Sequence, residues 1–246
     1  MSLPVHLAPV PRDVAPGSLV EVTGDEAHHA VAVRRLRVGE QVALTDGAGT
    51  VATGTVESTG KRVFSLRVDD VRREPRPEPA LVVVQALPKG DRGELAVEML
   101  TEVGVATIVP WAAVRSVALW KGERGLKAHG RWQGTAREAA KQARRSWLPK
   151  VAPLARTSDV ITLVAEAEAA LVLHEEAAEP LAGSPLPATG SIVLVVGPEG
   201  GLAPDEVEAL VAAGARSVRL GPEVLRTSTA GVAAAAAVLA RTSRWS

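Results

Sequence analysis

The chain reads as an α/β protein in two parts, a small β-barrel followed by a larger domain built on a parallel sheet. Three observations carry this. The first 73 residues hold short runs rich in valine and threonine, separated by Asp46-Gly47 and Thr59-Gly60 turns. A proline-rich stretch, Glu74-Pro75-Arg76-Pro77-Glu78-Pro79, interrupts the pattern. Beyond it, near-continuous apolar strands alternate with amphipathic helices, as expected for strands buried on both faces of a parallel sheet.

In the first part, strands are expected over Leu19–Thr23, Gln41–Thr45, Gly49–Glu57 and Val63–Val71. One helix, Asp25–Arg35, interrupts them, capped by Thr23 or Asp25, with acids early and arginines late as the helix dipole favours. The division is therefore 1–73 barrel, 74–79 extended spacer and 80–246 α/β domain. In that domain Leu81–Leu87 is a strand. Asp91–Val103 is a helix with Leu95, Met99, Leu100 and Val103 on one face. A strand Ala106–Pro110, a helix Lys127–Arg145 and strands Ala170–His174 and Ile192–Val196 follow. Pro204–Ala213 is a helix, Ser217–Leu220 a strand and Thr229–Arg241 a closing alanine-rich helix.

The 246 residues carry 46% apolar and 23% charged side chains, enough for one large or two small cores. Cysteine is absent, which excludes disulfides, cysteine-zinc sites and a thiol nucleophile. The five histidines, His6, His28, His29, His129 and His174, have no metal-ligand spacing, so no metal is expected. The N-terminus lacks the basic and apolar regions of a signal peptide, and no apolar run approaches the ~20 residues of a membrane span. A cytoplasmic protein without membrane contact is expected.

The net charge is zero but uneven. Ten basic residues between Arg115 and Lys150 face only Glu123 and Glu138, a net of +8, whereas 157–215 holds ten acids and no lysine or arginine. A basic window of this kind suggests a polyanionic partner, and Trp120, Trp132 and Trp147 within it are candidates for stacking on bases; the alternative is a solvated helix with inward-packed tryptophans.

Two loops concentrate the chemistry. Gly197-Pro198-Glu199-Gly200-Gly201 follows an apolar strand, and Leu220-Gly221-Pro222-Glu223-Val224-Leu225-Arg226-Thr227-Ser228-Thr229-Ala230 follows the next. Glycine-bearing loops after neighbouring parallel strands mark a ligand site at the strands' carboxyl ends. The first loop has a glutamate, no lysine and neither phosphate-binding glycine pattern, which disfavours a phosphate. A neutral or cationic ligand fits better, such as the adenosine and sulfonium of S-adenosylmethionine; the alternative is a tight turn without a ligand.

With these loops the chain resembles the ribosomal RNA small subunit methyltransferase E family of SPOUT, or trefoil-knot, methyltransferases. Further matches are His28-His29 with Val33-Arg34, Leu87-Pro88-Lys89-Gly90-Asp91-Arg92, Glu98 with Thr101-Glu102 and Gly104-Val105, Gln142 with Arg145 and Pro149, and Leu173-His174-Glu175. Their order and spacing cover nearly the whole length. The resemblance implies a PUA-like barrel before a knotted α/β domain, and a homodimer. It implies methylation of uridine N3 in 16S ribosomal RNA, the RNA lying in the small ribosomal subunit, with S-adenosylmethionine as donor. It places the donor against Leu173, His174, Gly197, Glu199, Gly201, Leu220, Gly221, Leu225 and Thr229.

Arg226 is the candidate for holding RNA phosphate or stabilising the uridine anion, the alternative being an ion pair with Glu199 or Glu223. Gln142 and Arg145, three apart on one helical face, are candidates for lining the RNA side of the catalytic site. His28, His29, Arg34, Arg35 and Arg37, together with Lys89 and Arg92, are candidates for RNA contact. The family commonly has a basic residue where Glu223 stands, a glutamate at Ser228 and an acid at Lys141. Two rival readings are ribose 2′-O-methylation and a non-catalytic RNA-binding protein with a residual donor pocket.

Overall fold

The computed structural model describes residues 3–245. It divides into two compact units, one formed by Met1–Arg76 with Lys141–Leu148, the other by Pro77–Ala140 with Pro149–Ser246.

In the first unit, strands β1 (Val5–Leu7), β2 (Leu19–Thr23), β3 (Gln41–Thr45), β4 (Thr50–Thr59) and β5 (Val63–Arg73) form one curled sheet in the order β1-β3-β4-β5-β2. β1 pairs parallel to β3 and the other neighbours are antiparallel. Alternation of side chains sends Val20, Val22, Val42, Leu44, Phe64, Leu66 and Val68 into a single core. Two register shifts bend β4 against β5. Gly54 lies at the first of them, where an added Cβ would stand 2.1 Å from the Arg67 carbonyl oxygen.

The helix expected over Asp25–Arg35 is shorter. It runs as α1 (Gly24–His28) and continues as a π-helical turn over His29–Val33. Arg35 takes a left-handed conformation, φ 58°, and the Leu36 N–H closes the end onto the Ala30 carbonyl at 3.0 Å. Arg34, Arg35 and Arg37 therefore lie past the helix, all exposed.

The second unit contains β6 (Ala80–Ala86), α2 (Arg92–Glu102), β7 (Thr107–Trp111), α3 (Gly122–Gln142), β8 (Lys150–Val151), α4 (Thr157–Ala165), β9 (Ala169–Leu173), β10 (Ser191–Val196), α5 (Pro204–Ala212), β11 (Arg216–Val218) and α6 (Thr227–Leu239). The last two residues of α3 fall in the first unit. The six strands are all parallel, in the order β11-β9-β10-β6-β7-β8. β1, β8 and α4 are elements the sequence pattern did not reveal.

The apolar strands are continuous because each serves two cores. Leu81, Val83, Ile192, Leu194 and Val196 pack with Val97 and Leu100 of α2, Trp132 and Ala136 of α3, and Ala234, Ala235 and Val238 of α6. Val82, Val84, Val193 and Val195 face the other way, onto Val160 and Val164 of α4 and Leu210 of α5. The alanines of α6 permit a close approach to the sheet: a Cβ on Gly231 would stand 3.3 Å from both Gln85 Oε1 and Val196 Cγ2.

The tryptophans correct one expectation. Trp132 is buried in the core, with Trp120 edge-on to it at 5.0 Å between ring centroids, so neither ring is arranged as a base-stacking platform. In the first unit, Trp147 donates to the Glu74 carbonyl at 3.0 Å and carries the Arg76 guanidinium over its ring. Hydrophobic burial outcompetes exposure for these large rings.

Candidate active site

Parallel strands put all their carboxyl ends on one edge of the sheet. The loops after β9, β10 and β11 therefore meet, and they enclose a cleft of about 330 Å³ together with the start of α6. This is the lower part of the range usual for small-molecule sites. Leu173, Val196, Leu202, Leu220, Val224 and Leu225 give it apolar walls; Glu175, Glu199 and Glu223 bring carboxylates, and Arg92, Arg219 and Arg226 bring guanidinium groups.

Local geometry explains the glycines. Gly201 has φ +70°, in the left-handed region, and its N–H donates to the Pro198 carbonyl at 2.9 Å. A Cβ on Gly201 would approach nothing closer than 3.9 Å, so the requirement there is conformational. At Gly197 the constraint is steric, since a Cβ would stand 3.0 Å from Leu202 Cγ.

The loops are tied to their surroundings. Glu199 Oε1 accepts a hydrogen bond from the Lys89 backbone N–H at 3.1 Å and lies 4.0 Å from the Arg92 guanidinium, which links the loop after β10 to the loop after β6. Arg115 donates to the Gly200 carbonyl at 3.3 Å. The Thr227 hydroxyl donates to the Gly197 carbonyl at 2.6 Å, joining the first turn of α6 to the loop after β10. His174 Nδ1 accepts from the Glu176 N–H at 3.3 Å, inside the turn that leaves β9.

The structure brings most of the expected donor residues together. Leu173, His174, Gly197, Glu199, Gly201, Leu220, Gly221 and Leu225 all line the cleft. Thr229 does not; it is exposed in the first turn of α6, and Thr227, two residues earlier, takes the place expected for it. Thr227 and Arg219 also line the cleft, and neither is among the residues expected from the sequence. Both stand in or beside the loop after β11, where 222–226 are exposed and burial resumes only at Thr227 and Ser228, a change that no short pattern signals.

Arg226 lines the cleft with an exposed side chain that forms no hydrogen bond or ion pair with a described residue, so the alternative pairings with Glu199 and Glu223 are absent. Arg92 also lines the cleft, while Lys89 is exposed. Gln142 and Arg145 belong to the first unit. Their expected shared helical face does not exist: α3 ends at Gln142, and Arg144, at φ 55°, turns the chain before Arg145. His28, exposed, and His29, half-buried, also stand in the first unit, with the Arg34, Arg35 and Arg37 cluster.

Among the described residues no cluster of histidine, aspartate and glutamate is placed to hold a metal ion, and no helix is long and apolar enough to cross a membrane.

A parallel-sheet unit with three ligand loops at its strand ends, joined to a small β unit, is the arrangement of an RNA methyltransferase. Residues 75–239 match the RNA methyltransferase domain family and residues 22–69 the RNA methyltransferase PUA domain. The chain is 48% identical over 233 residues to ribosomal RNA small subunit methyltransferase E of Mycobacterium bovis, covering 93% of this chain and 89% of the relative. It is 32% identical to the Bacillus subtilis protein of that name, covering 88% of each. Among solved structures, the ribosomal RNA small subunit methyltransferase E of Neisseria gonorrhoeae bound to S-adenosyl methionine superposes with a TM-score of 0.85 at 26% identity, covering 98% of each chain. A Legionella pneumophila methyltransferase in complex with the same cofactor gives 0.87 at 26% identity, covering 98% of this chain and 99% of its own. The chain belongs to the ribosomal RNA small subunit methyltransferase E family.

Proposed function

We propose that this protein transfers a methyl group from S-adenosylmethionine to N3 of a uridine in 16S ribosomal RNA of the small ribosomal subunit. The cleft at the ends of β9, β10 and β11 carries the reading. Its apolar walls suit an adenine ring, the strand-end loops offer main-chain donors and acceptors, and Glu175, Glu199 and Glu223 suit the cationic parts of the donor. The binding of S-adenosyl methionine by the Neisseria gonorrhoeae relative supports the fit.

When bound, the donor supplies an electrophilic methyl group on a sulfonium. The chain's own contribution is orientation and charge. Leu173, Leu220 and Leu225 would hold the adenine, and Gly197 and Gly201 would let the backbone approach the donor. Arg226, whose side chain pairs with none of the described residues, points its charge toward RNA, where it stabilises a phosphate or the anion that forms as the imide proton leaves N3. A cation directed at the sulfonium would be repelled. Arg92 and Lys89 flank the cleft on the RNA side. In the first unit, His28, His29, Arg34, Arg35, Arg37, Gln142 and Arg145 supply contacts to the RNA.

The protein acts in the cytoplasm, where its ribosomal substrate is, and as a homodimer. The exposed apolar residues Val114, Val117, Leu119 and Leu126 of the second unit support the second point, because they lie close together in the chain and call for cover.

The test is methyl transfer from labelled donor to unmethylated 30S subunits and to naked 16S RNA, followed by mass spectrometry of the nucleosides. The expected product is 3-methyluridine. A ribose-methylated nucleoside would overturn the N3 assignment in favour of 2′-O chemistry, and donor binding without turnover on either substrate would favour the RNA-binding reading. Calorimetry in chelator should show donor affinity without metal; dependence on a divalent ion would contradict the proposed site.

A further inference from the structure

We infer that Gln85, a residue outside the cleft lining, is a positioning residue for the donor site through a buried hydrogen-bond chain Gln85–Thr227–Gly197. Gln85 stands near the carboxyl end of the central strand β6, opposite Val196 of β10 in the sheet register, and is fully buried. Its Nε2 lies 3.0 Å from Thr227 Oγ1, and Thr227 Oγ1 lies 2.6 Å from the Gly197 carbonyl oxygen. The direction of the chain is set by chemistry. A carbonyl oxygen only accepts, so the Thr227 hydroxyl proton must point at Gly197. The hydroxyl's lone pairs are then left to receive a proton from the Gln85 amide, which fixes the amide's orientation.

That orientation has a cost that the structure displays. Gln85 Oε1 is buried with no hydrogen-bond partner among the described residues. It faces the backbone of Gly231, where a Cβ would come within 3.3 Å of it. A buried acceptor left unpaired is unfavourable, and leucine or methionine would fill the same volume without that penalty. A purely structural core position would not need the amide. The gain is on the other side: its N–H groups also reach the Ala86 carbonyl at 3.2 Å and the Thr227 carbonyl at 3.4 Å, so one side chain anchors the first residue of α6 twice.

The consequence falls on the two loops that line the cleft. Gly197 opens the loop after β10, and Thr227 closes the loop after β11. The Thr227 hydroxyl bridges their ends, and Gln85 holds Thr227 from beneath, on the rigid middle of the sheet. The chain thus sets the spacing of the two loops before a ligand arrives, which lowers the ordering cost of binding.

This inference rests on the reading of the cleft as the donor site, and calorimetry with S-adenosylmethionine separates the two. Wild-type protein, Thr227→Val, Thr227→Ser, Gln85→Met and the double variant Thr227→Val/Gln85→Met are titrated, with thermal unfolding as the control for folding. Thr227→Val should weaken donor binding by about tenfold or more and Gln85→Met by about threefold to tenfold. Thr227→Ser, which keeps the hydroxyl, should stay within about threefold of wild type. The double variant should bind no worse than Thr227→Val, because both changes break one chain. Wild-type binding with unchanged affinity in both single variants, failure of serine to rescue, or fully additive losses would overturn the positioning role while leaving the donor site intact. Absence of binding by the wild type would overturn the site reading and the inference with it. If Thr227→Val does not fold, the comparison of Gln85→Met with Thr227→Ser decides: equal, wild-type affinity in both overturns the role.

Discussion

Lys141 Nζ lies 2.9 Å from Glu26 Oε2, joining residues 115 positions apart in the chain. Both side chains are largely removed from solvent, and His6, beside the Phe64 ring, approaches the other Glu26 oxygen at 3.2 Å. In the sequence Lys141 stands out as one of ten positive charges in a basic window and as a lysine where the family commonly has an acid. In the structure its charge is committed within the first unit. Removing one partner of a buried pair strands the other, which is more costly than never having buried either. Lys141→Met should lower the stability of the protein by roughly 3 kcal/mol, measured by urea unfolding. A loss within a few tenths of a kcal/mol would show that water reaches the pair.

The same site predicts acid sensitivity. Burial alone would raise the Glu26 pKa, but hydrogen bonds from His6 and Lys141 and the Lys141 charge outweigh it and hold the carboxyl down, from 4.5 to about 2. A depressed carboxylate pKa contributes stability that is fully present above 4.5 and is lost as pH falls toward about 2. Melting temperatures measured across that window should fall more steeply for wild type than for Glu26→Gln. Parallel curves would assign the acid loss to other carboxylates.

Gly201 is held at φ +70°, so a branched residue there is strained whatever the space around it. Gly201→Val should cost about 1–3 kcal/mol locally and move the loop after β10, with donor affinity falling by an order of magnitude or more. Gly201→Ala should fall between the two. Calorimetry on folded variants checks this; wild-type affinity for Gly201→Val would separate the loop from the donor.

Arg226 should matter more for methyl transfer than for donor affinity, since its side chain pairs with no group among the described residues and is exposed at the cleft. Arg226→Ala should lower the single-turnover rate at saturating RNA and donor by about 10²–10³, while the donor dissociation constant moves little. Lysine should restore a purely electrostatic role but not a bidentate one. Destroyed donor binding with an intact chemical step would place Arg226 in the pocket's framework instead.

Arg34, Arg35 and Arg37 are exposed in the first unit. Replacing all three with alanine should weaken RNA binding and leave donor binding unchanged. The salt slope of RNA binding should fall by about one unit for each phosphate that is no longer neutralised. An unaltered slope measured by filter binding over a salt series would remove the cluster from the RNA-binding surface.

The sequence by itself determined the α/β class, the parallel sheet and the two glycine loops, because these depend on short-range pattern. The alternating apolar residues Phe64, Leu66 and Val68 of Val63–Arg73 and the doubly buried run Ile192–Val196 leave periodicities that any strand of their kind must have. Most residues of the cleft at the strand ends were legible for the same reason: strands that run parallel must bring the loops at their carboxyl ends to one edge. Tertiary packing decided what pattern cannot encode. α3 stops at Gln142 because Arg144 turns left-handed, which takes Arg145 off the helix that its spacing suggested. Trp132 packs inward although it lies in a basic window beside Arg131, and Lys141 meets Glu26 across more than a hundred residues. Thr227 rather than Thr229 reaches Gly197, since only the docking of α6 on the sheet chooses which hydroxyl of a Thr-Ser-Thr run is turned inward. Each of these joins distant segments of the chain. Its energy depends on partners that a local stretch of sequence does not contain.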